Sequence, residues 1–321
     1  MSITQHALIT GGAGFIGSHL TERLLADGAR VTVIDDLSTG SFDNLKTASA
    51  NPRFRFIQAK VSEYAGLLKL VAEADQIFHL AAAVGVELVV RSPVRVIETN
   101  LHETEVLLKA ATANRTPVLL ASTSEVYGKS AKEVFSEEDD LLIGPPTHAR
   151  WSYACSKLMD EFLALAYAKE RSLPVVIARF FNTVGPRQTG RYGMVLPRFI
   201  AAAQRGEPLR VYGDGGQSRC FCYVKDTVEA LVRLTSSPTA TGQIFNIGST
   251  EEVSIAELAA LVIRTLGSNS SVQLVPYNEA YEPGFEDMRR RKPSVEKLVQ
   301  FTGFKPATTL REIIERTAAG V

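Results

Sequence analysis

Residues 7–17 read Ala-Leu-Ile-Thr-Gly-Gly-Ala-Gly-Phe-Ile-Gly, a short apolar run that leads into a glycine-rich turn. An amphipathic stretch follows to about Asp27, Gly28 would end that helix, and residues 31–34 predict the next strand. A strand, a glycine turn, a helix and a second strand form the context in which Gly-x-Gly-x-x-Gly indicates dinucleotide binding. The stretch therefore predicts an α/β fold that begins with a nucleotide-binding unit.

The glycines of this turn have separate steric roles. Gly11 permits a tight turn, Gly14 lets a diphosphate approach backbone N–H groups, and Gly17 lets the helix pack against the strand. The first helical residues, Phe15 and Ile16, would place the positive end of the helix at the phosphates. The sequence therefore predicts a diphosphate site at the start of this helix.

A carboxylate follows the second predicted strand at Asp35, and Asp36 comes next. Asp35 can accept hydrogen bonds from both hydroxyls of an adenosine ribose, and its charge would repel a 2′-phosphate, so we expect NAD rather than NADP. Residues 54–57 and 76–80 predict further strands, and small residues after the second would let the cofactor lie against the backbone. The predicted cofactor-binding residues are Gly11, Gly14, Phe15, Ile16, Gly17, Asp35, Asp36, Val61, Leu80, Ala81, Ala82, Asn100, Tyr153 and Lys157.

Two polar residues in this half have more than one interpretation. His79 stands at a strand end, where a role in the fold is favoured over a catalytic one. Asn100 is a poor helix former inside a predicted helix over residues 94–114. It would either hold backbone or water near the site or serve as a buried amide of the fold.

A second informative stretch extends from Ser122 to Lys157. Tyr153 and Lys157 are four residues apart and therefore lie on one face of a predicted helix. A nearby ammonium would lower the pKa of the tyrosine below about 10, which would make Tyr153 an acid or base for a hydroxyl proton. Thr123 ends the apolar run 118–121, so its hydroxyl would lie at the carboxyl end of a parallel strand, where ligands bind.

Composition restricts the function further. The 321 residues, 45% of them hydrophobic, are enough for one large or two smaller domains, which we place at residues 1–180 and 181–321. The 35 basic and 35 acidic residues balance, so neither nucleic acid nor an anionic membrane is an expected partner. The sequence has no membrane-span pattern or basic-then-apolar leader, and its three cysteines predict neither a disulfide framework nor a metal site. A cytoplasmic enzyme is expected.

The second half carries several arginines in Gly- and Pro-rich loops, as a cap that binds a diphosphate would require. Segments of this half are expected to return to the sheet, and a final helix is predicted near residues 310–318. The predicted substrate-binding residues are Asn182, Arg187, Gln188, Arg191, Met194, Val195, Tyr212, Arg219 and Arg289.

Together these residues resemble the extended short-chain dehydrogenase/reductase family of sugar-nucleotide epimerases and dehydratases. The resemblance extends over essentially the whole chain and is carried by Thr-Gly-Gly-Ala-Gly-Phe-Ile-Gly at 10–17, Asp35, His79-Leu80-Ala81-Ala82, Thr123, Tyr153-x-x-x-Lys157, Asn182 and Tyr212-Gly213-Asp214-Gly215. It implies a seven-stranded parallel Rossmann sheet, a small C-terminal substrate domain, tightly bound NAD and a homodimer formed through two long helices per subunit.

The resemblance also implies residue roles. Tyr153 would be the base, Lys157 would hold the nicotinamide ribose, and Thr123 would bind the sugar 4-hydroxyl. The nucleotide diphosphate would be held by Asn182, Arg219 and Arg289.

The chain departs from the family pattern at three positions. Lys60 stands where an aspartate near the adenine is usual, so adenine contact would depend on backbone groups and on Ser62. Cys220 replaces an aspartate and is interpreted as a packing change. Cys155 stands where a small residue is more usual. It would either be a packing residue or supply a catalytic thiol.

The reaction depends on Ser124 and Glu125, which follow Thr123. In the family, oxidation at the sugar C4 makes the C5 hydrogen acidic, and 4,6-dehydratases carry Thr-Asp-Glu, in which Glu removes that proton and Asp protonates the departing hydroxyl. In this chain Glu125 keeps the proposed base, and Ser124 replaces the acid. The overall sequence resembles the UDP-N-acetylglucosamine 5,6-dehydratases of tunicamycin-type antibiotic biosynthesis, so a 5,6-dehydratase of a UDP-sugar is the main expectation.

Other reactions stay open. UDP-glucuronate decarboxylases also carry Thr-Ser-Glu-Val-Tyr-Gly, although no arginine can be assigned to a substrate carboxylate from the sequence. A UDP-hexose 4-epimerase would leave Glu125 a hydrogen-bonding or merely structural residue. A non-catalytic NAD-sensing module is disfavoured because Thr123, Tyr153 and Lys157 are all present.

Overall fold

The structure is a computed structural model that describes residues 5–190, 194–276, 279 and 288–320. Its centre is a seven-stranded, all-parallel sheet with the strand order β11-β6-β5-β4-β1-β2-β3. The strands are β1 His6–Thr10, β2 Arg30–Asp35, β3 Phe54–Gln58, β4 Gln76–His79, β5 Val118–Thr123, β6 Val175–Phe180 and β11 Gln243–Ile247. The expected Rossmann fold is confirmed.

Eleven α-helices lie in the described residues, most of them packed on the faces of this sheet or in the second half of the chain. They are α1 Phe15–Ala26, α2 Lys46–Ser49, α3 Leu67–Ala72, α4 Val86–Arg91, α5 Pro93–Thr112, α6 Arg150–Arg171, α7 Val195–Gln204, α8 Val224–Thr235, α9 Ile255–Leu266, α10 Glu296–Thr302 and α11 Leu310–Ala318. None of the helices in these residues is long and apolar enough to cross a membrane.

Apolar side chains cover both faces of the sheet, which explains why its central strands read as continuous hydrophobic runs. On one face, α1 and α8 pack over buried residues such as Ile9 and Val33. On the other face, α3, α5 and α6 pack over residues such as Leu8 and Ile177. The two layers fix the carboxyl ends of the strands relative to the helices that begin there.

A separate apolar cluster forms the core of the second half, where α7, α9 and α11 meet. Three two-stranded ladders accompany it: β7 Thr183–Val184 with β10 Cys222–Tyr223, β8 Leu209–Tyr212 with β13 Val272–Val275, and β9 Ser218–Cys220 with β12 Glu252–Ser254. Capping boxes start two of the helices, with Ser254 before α9 and Thr309 before α11. The chain also returns to the large sheet, because β11 pairs in register with β6.

Candidate active site

A cavity of about 1060 Å³ opens at the carboxyl edge of the sheet, between the sheet and the second half of the chain. The ends of β1, β2, β4 and β5 and the start of α1 form one wall, and loops that follow β6 and β8 form the other. In open parallel sheets this edge is where ligands bind. The position agrees with the one that the glycine turn and Thr123 predict.

The glycine turn has the close packing that a diphosphate site requires. Gly11 has a φ of +71°, and a Cβ there would lie 2.6 Å from the backbone nitrogen of Ala81. A Cβ at Gly17 would collide with the carbonyl oxygen of Gly11, so α1 could not pack against the turn. Gly14 caps α1 and no side chain occupies its first turn as a cap, which leaves the N–H groups there directed at the cavity.

Asp35 ends β2 with its carboxylate in the cavity wall. Its two oxygens accept hydrogen bonds from the backbone nitrogens of Ala13 at 2.9 Å and Leu37 at 2.8 Å. Burial raises the pKa of Asp35, while these two bonds oppose the rise. Because each oxygen keeps a further lone pair, the carboxylate can still accept from two ribose hydroxyls. Asp36 also lines the cavity.

Lys60 and Val61, where an adenine contact is expected, both line the cavity. Ser62 does not, because its hydroxyl donates to Glu103 Oε1 at 2.5 Å and its backbone nitrogen donates to Glu103 Oε2 at 3.0 Å. Glu103 therefore fixes the loop that would contact the adenine. The geometry therefore does not support a direct Ser62 contact, and the contact through backbone groups stays a prediction.

Asn100 does not line the cavity, but its side chain connects two segments of the cavity wall. Its side-chain oxygen accepts from the backbone nitrogen of Ala83 at 2.8 Å, and its amide donates to the Ser156 hydroxyl at 3.1 Å. The side chain is 1% exposed. It joins the small-residue loop after β4 to α6, so it positions both walls rather than touching a ligand.

The catalytic candidates meet at the end of β5. Thr123 is the last residue of that strand, and its hydroxyl accepts from the backbone nitrogen of Glu125 at 3.2 Å and forms a hydrogen bond with Tyr153. Tyr153 and Lys157 project from one face of α6 into the same cavity. The structure thus brings together the three residues that the sequence analysis singled out.

The electrostatics of Tyr153 differ from the expectation. Burial raises its pKa above the ordinary value, the Glu125 charge adds to the rise, and the hydrogen bond with Thr123 opposes it. Lys157 does not reverse this effect, because its Nζ lies 2.7 Å from the wholly buried carboxylate of Asp160. The predicted lowering of the tyrosine pKa by Lys157 is therefore not found in this structure.

The carboxyl end of β5 is held by a buried ion pair. Arg179 on β6 contacts Glu161 on α6 through two nitrogens, at 3.0 and 2.7 Å, and the Ser122 hydroxyl donates to the same carboxylate at 2.5 Å. Arg179 also donates to the Tyr127 hydroxyl at 3.0 Å. Because two strands and a helix share these charges, Thr123 and the face of α6 keep a fixed separation.

Glu125 lies in the cavity wall between two arginines. Its Oε1 is 2.7 Å from Arg291 Nη2, and its Oε2 is 3.8 Å from Arg150 Nη2. The three side chains are largely buried, with exposures of 18% for Glu125 and 10% for each arginine. Neither arginine was a predicted site residue, and from the sequence no arginine could be assigned to a substrate carboxylate; the structure places these two beside Glu125 in the cavity wall. Ser124 lines the cavity beside them.

The cysteines take no part in this site. Cys155 is exposed and does not line the cavity, because two residues along a helix turn the side chain away from the Tyr153 face. The catalytic-thiol alternative is therefore contradicted by the geometry. Cys220 is fully buried, and burial raises its pKa to about 12, so it stays a neutral packing group.

The predicted substrate side is only partly assembled. Seven of its residues line the cavity: Asn182, Arg187, Gln188, Met194, Val195, Tyr212 and Arg219. Arg289 does not, since its side chain is exposed and only its carbonyl is used, accepting from the backbone nitrogen of Ser218 at 2.9 Å. Arg191 lies outside the described residues.

Two further arginines, Arg198 and Arg210, line this side although the sequence analysis did not select them. The Arg198 guanidinium lies 4.5 Å from the centre of the Tyr212 ring and donates to its hydroxyl. No local signal distinguished these two from the other arginines of the second half, because helix α7 and strand β8 carry them and only the tertiary fold turns them inward.

A Rossmann sheet with this glycine turn, and with Thr123, Tyr153 and Lys157 at its carboxyl edge, defines an NAD-dependent enzyme of the short-chain dehydrogenase/reductase class. The chain belongs to the NAD dependent epimerase/dehydratase family, whose family model matches residues 7–248. The expected cofactor, NAD, is confirmed.

Curated relatives match over nearly the whole chain. A UDP-N-acetyl-alpha-D-glucosaminuronate decarboxylase of Bacillus cytotoxicus is 42% identical over 98% of this chain and 96% of its own. The UDP-glucuronic acid decarboxylase 1 of Danio rerio is 37% identical over 98% of this chain and 72% of its own.

Solved structures share the fold closely. A UDP-N-acetylglucosamine 4-epimerase from Methanobrevibacter ruminantium in complex with UDP-N-acetylmuramic acid has a TM-score of 0.89 and 29% identity, over 98% of this chain and 97% of that one. A UDP-glucuronic acid 4-epimerase from Bacillus cereus in complex with UDP-glucuronic acid and NAD has a TM-score of 0.88 and 27% identity, over 98% of both chains.

The residues present fit NAD. The uncapped start of α1 suits the diphosphate, Asp35 suits the adenosine ribose, and Lys157 and Tyr153 lie on the side where a nicotinamide ribose would be held. When bound, NAD⁺ would supply a hydride acceptor for an alcohol carbon. Thr123 and Tyr153 would hold and exchange the hydroxyl proton of that alcohol.

Proposed function

We propose that this protein is an NAD-dependent decarboxylase of a UDP-linked uronic acid, either UDP-glucuronate or its 2-acetamido counterpart. The observation that carries the proposal is the position of Glu125 between Arg291 and Arg150, beside Thr123 and Tyr153. Relatives at 42% and 37% identity that are named as decarboxylases support it.

The two guanidinium groups favour a substrate that has a carboxylate. Both face the Glu125 carboxylate in a largely buried wall, and an arginine can donate to more than one acceptor. A carboxylate on the sugar would be a charged acceptor for them, which a neutral hydroxymethyl group would not be. An ionised hydrogen bond of this kind contributes about 1.5–3 kcal/mol.

The reaction then follows from the position of that carboxylate. Once the sugar C4 is a ketone, the electron pair of the C5–C6 bond can enter the ring as an enolate while C6 leaves as carbon dioxide. A proton derived from solvent adds at C5 and restores the ketone, and return to C4 of the hydride that was removed in the first step gives the pentose. Thr123 and Tyr153 hold the C4 oxygen in this scheme, and the arginines hold the C6 carboxylate until it departs.

Glu125 has a different task in this scheme from the one in a dehydratase. Decarboxylation needs no base at C5, since the departing carbon leaves its electrons behind. An arginine beside a carboxylate favours its charged form and holds it in place. Glu125, bound to Arg291 at 2.7 Å, is therefore suited to orient that arginine.

The 5,6-dehydratase that the sequence analysis favoured is the weaker candidate. It would need Glu125 to leave Arg291 and take a proton from C5, and it would need a proton donor for the C6 hydroxyl. Ser124, the residue that replaces the family's acid, is only 2% exposed. The named relatives favour the decarboxylase alternative over this reaction.

Mass spectrometry of the purified enzyme in heavy water separates the candidates. UDP-glucuronate, its 2-acetamido counterpart, UDP-N-acetylglucosamine and UDP-glucose are each incubated without added cofactor. We expect loss of carbon dioxide from a uronate, with one deuterium at C5 of the pentose. Loss of water from UDP-N-acetylglucosamine would overturn the proposal in favour of the dehydratase. A new C4 epimer of unchanged mass would make the protein an epimerase.

A further inference from the structure

The Lys157 ammonium contacts a carboxylate that the sequence analysis did not select. Asp160 on α6 accepts a hydrogen bond from Lys157 Nζ at 2.7 Å, and the side-chain exposures are 3% for Lys157 and 0% for Asp160. Lys157 lines the cavity, whereas Asp160 does not. Asp160 can therefore act on a ligand only through Lys157.

This pair differs from the buried ion pair next to it. Arg179 and Glu161 join β6 to α6, and neither of them lines the cavity. Lys157 and Asp160 are three residues apart on one helix, so the bond between them joins no separate elements. The lysine also precedes the acid, which is the order that stabilises a helix less. The main effect of the bond is therefore on the direction of the lysine side chain.

Further hydrogen bonds hold Asp160 in place. Burial raises the pKa of Asp160, whereas the Lys157 charge and a hydrogen bond with Thr104 on α5 lower it. An ionised carboxylate only accepts, so the Thr104 hydroxyl donates to Asp160 and accepts from His79 Nε2 at 3.1 Å. Because His79 is neutral, its Nδ1 then accepts from the Thr10 hydroxyl at 2.7 Å.

This series of hydrogen bonds ends on the backbone of the cavity wall. The Thr10 hydroxyl accepts from the backbone nitrogen of Ala81 at 3.2 Å, and Ala81 lines the cavity. Each hydroxyl in the series donates once and accepts once, so every proton has a defined direction. The loop after β4 and the Lys157 ammonium are therefore connected through buried polar groups, which restricts the movement of both.

We propose that Asp160 is a positioning residue for the cofactor and directs Lys157 towards the nicotinamide ribose of NAD. An ammonium has three N–H donors, and the bond to Asp160 uses one of them. The other two can be donated to the two neighbouring hydroxyls of a ribose. The assignment concerns the cofactor and goes beyond the proposed function, because it does not depend on the sugar that reacts.

The test compares two ligands that differ only in that ribose. Binding of ADP-ribose, which contains it, and of ADP, which lacks it, is measured by calorimetry on the full chain freed of bound nucleotide. We expect Asp160→Asn to weaken ADP-ribose about 10-fold, because the ammonium loses its charged partner and its fixed direction. Its effect on ADP should stay below about twofold.

Glu103→Gln is the matched control. Glu103 is also a buried acid, and it holds the Ser62 hydroxyl and backbone nitrogen, where the adenine is expected. Its replacement should weaken ADP and ADP-ribose by the same factor, because both ligands contain the adenine. An equal effect of Asp160→Asn on the two ligands would overturn the assignment, since it would give Asp160 a role in the fold alone.

Thr104 offers a second test that leaves both charges in place. Thr104→Val removes the hydroxyl that donates to Asp160, whereas Thr104→Ser keeps it. We expect Thr104→Val to lower the ratio of ADP-ribose to ADP affinity about threefold and Thr104→Ser to keep the wild-type ratio. Wild-type ratios in both variants would contradict the assignment. If unfolding curves show that Asp160→Asn is not folded, these two variants decide.

Lys157→Met tests whether Asp160 acts through the lysine. In this background Asp160→Asn should leave the ratio of the two affinities unchanged, because the group that it directs is absent. A further fall in the ratio would show that Asp160 acts by another route and would overturn the assignment. None of these measurements uses a sugar, so this inference and the decarboxylase proposal can each fail while the other stands.

Discussion

His79 is buried at the edge of the sheet where the cavity opens, and both of its ring nitrogens are within hydrogen-bonding distance of a hydroxyl group. Nδ1 is 2.7 Å from the Thr10 hydroxyl, and Nε2 is 3.1 Å from the Thr104 hydroxyl. Burial lowers the pKa of His79 to about 3, and the nearby Lys157 charge adds to the effect. The imidazole is therefore a neutral structural group, in line with its interpretation from the sequence.

Stability should fall as the pH falls below neutrality because of this residue. The unfolded chain binds a proton at His79 below about pH 6.5, whereas the folded chain binds it only near pH 3. Between these values His79 lowers the free energy of unfolding by at most about 1.4 kcal/mol per pH unit of acidification. His79→Gln should flatten that dependence in urea unfolding between about pH 5 and pH 7.

Wild type and variant are compared at each pH, because His6 and His19 also have lowered pKa values and keep part of the slope in both. An unchanged slope in His79→Gln would show that His79 is not kept neutral in the folded chain.

Local spacing explains which site residues could be predicted. Tyr153 and Lys157 share one helix, and Gly11 and Gly17 share one turn, so their spacing in the sequence was enough to predict that the members of each pair lie close together. The ion pair of Glu125 with Arg291 joins distant parts of the chain and leaves no local pattern. The sequence analysis selected Arg289 from the arginine run 289–291 and did not select Arg291, and only the path of the loop makes the first exposed and the second buried.

At the scale of elements, helix α1 is tied to the loop that follows β7. The His19 ring contacts the carbonyl oxygen of Pro186 at 3.0 Å. Arg187 donates to the Ser18 hydroxyl at 3.2 Å and to Glu22 at 2.6 Å. Arg187 adopts a φ of +70°, which an arginine rarely does, so these contacts hold a strained backbone. The loop is therefore fixed to α1, and its Arg187 lines the same cavity as Gly14 and Phe15 at the start of that helix.

Weakening the contacts between α1 and this loop should increase the rate at which NAD dissociates. Glu22→Gln removes the charge that Arg187 contacts across a partly exposed pair, whose contribution is about 0–1 kcal/mol. We expect NAD to dissociate up to about fivefold faster, measured as NAD released from the purified enzyme over time. Asp27→Asn is the control, because the Arg23–Asp27 pair lies on the same helix away from the loop. If Glu22→Gln and Asp27→Asn release NAD at the same rate, the contact between Arg187 and Glu22 does not slow the release of NAD.

At the same scale, the sequence predicted the elements of the first half better than those of the second. The parallel strands are buried on both faces and read as apolar runs, and the long helices have a clear 3.6-residue period. The ladders of the second half are two to four residues long, and they exist only because distant segments pair. Periodicity cannot reveal strands of that length.

At the scale of the whole molecule, two adjacent helices present apolar side chains to solvent. Val94 and Ile97 on α5 are 65% and 38% exposed, and Met159 and Phe162 on α6 are 53% and 61% exposed. Helices α5 and α6 pack against each other. An apolar face of this kind is typical of an interaction site. The homodimer that the sequence resemblance implies stays a prediction, and we propose this face as its interface.

A charge on this face should separate the subunits. Phe162→Asp places a carboxylate in the expected interface, where burial of the charge would be costly, so the dimer should dissociate in analytical ultracentrifugation at micromolar concentration. Leu274→Asp is the control, because Leu274 is 59% exposed on β13 in the other half of the chain. A monomeric wild type, or a dimeric Phe162→Asp, would show that the face has another use.

The late position of β11 in the chain has a consequence for synthesis. The strand that completes the large sheet is made of residues 243–247, and it pairs with β6, whose residues emerge from the ribosome much earlier. Until residues 243–247 have been synthesised, one edge of β6 has no neighbouring strand, and Tyr127 lacks its 2.7 Å hydrogen bond to Asn246. An unpaired strand edge invites association with other chains. Nascent chains stalled before residue 243 should therefore depend on chaperones that chains stalled after residue 247 no longer need.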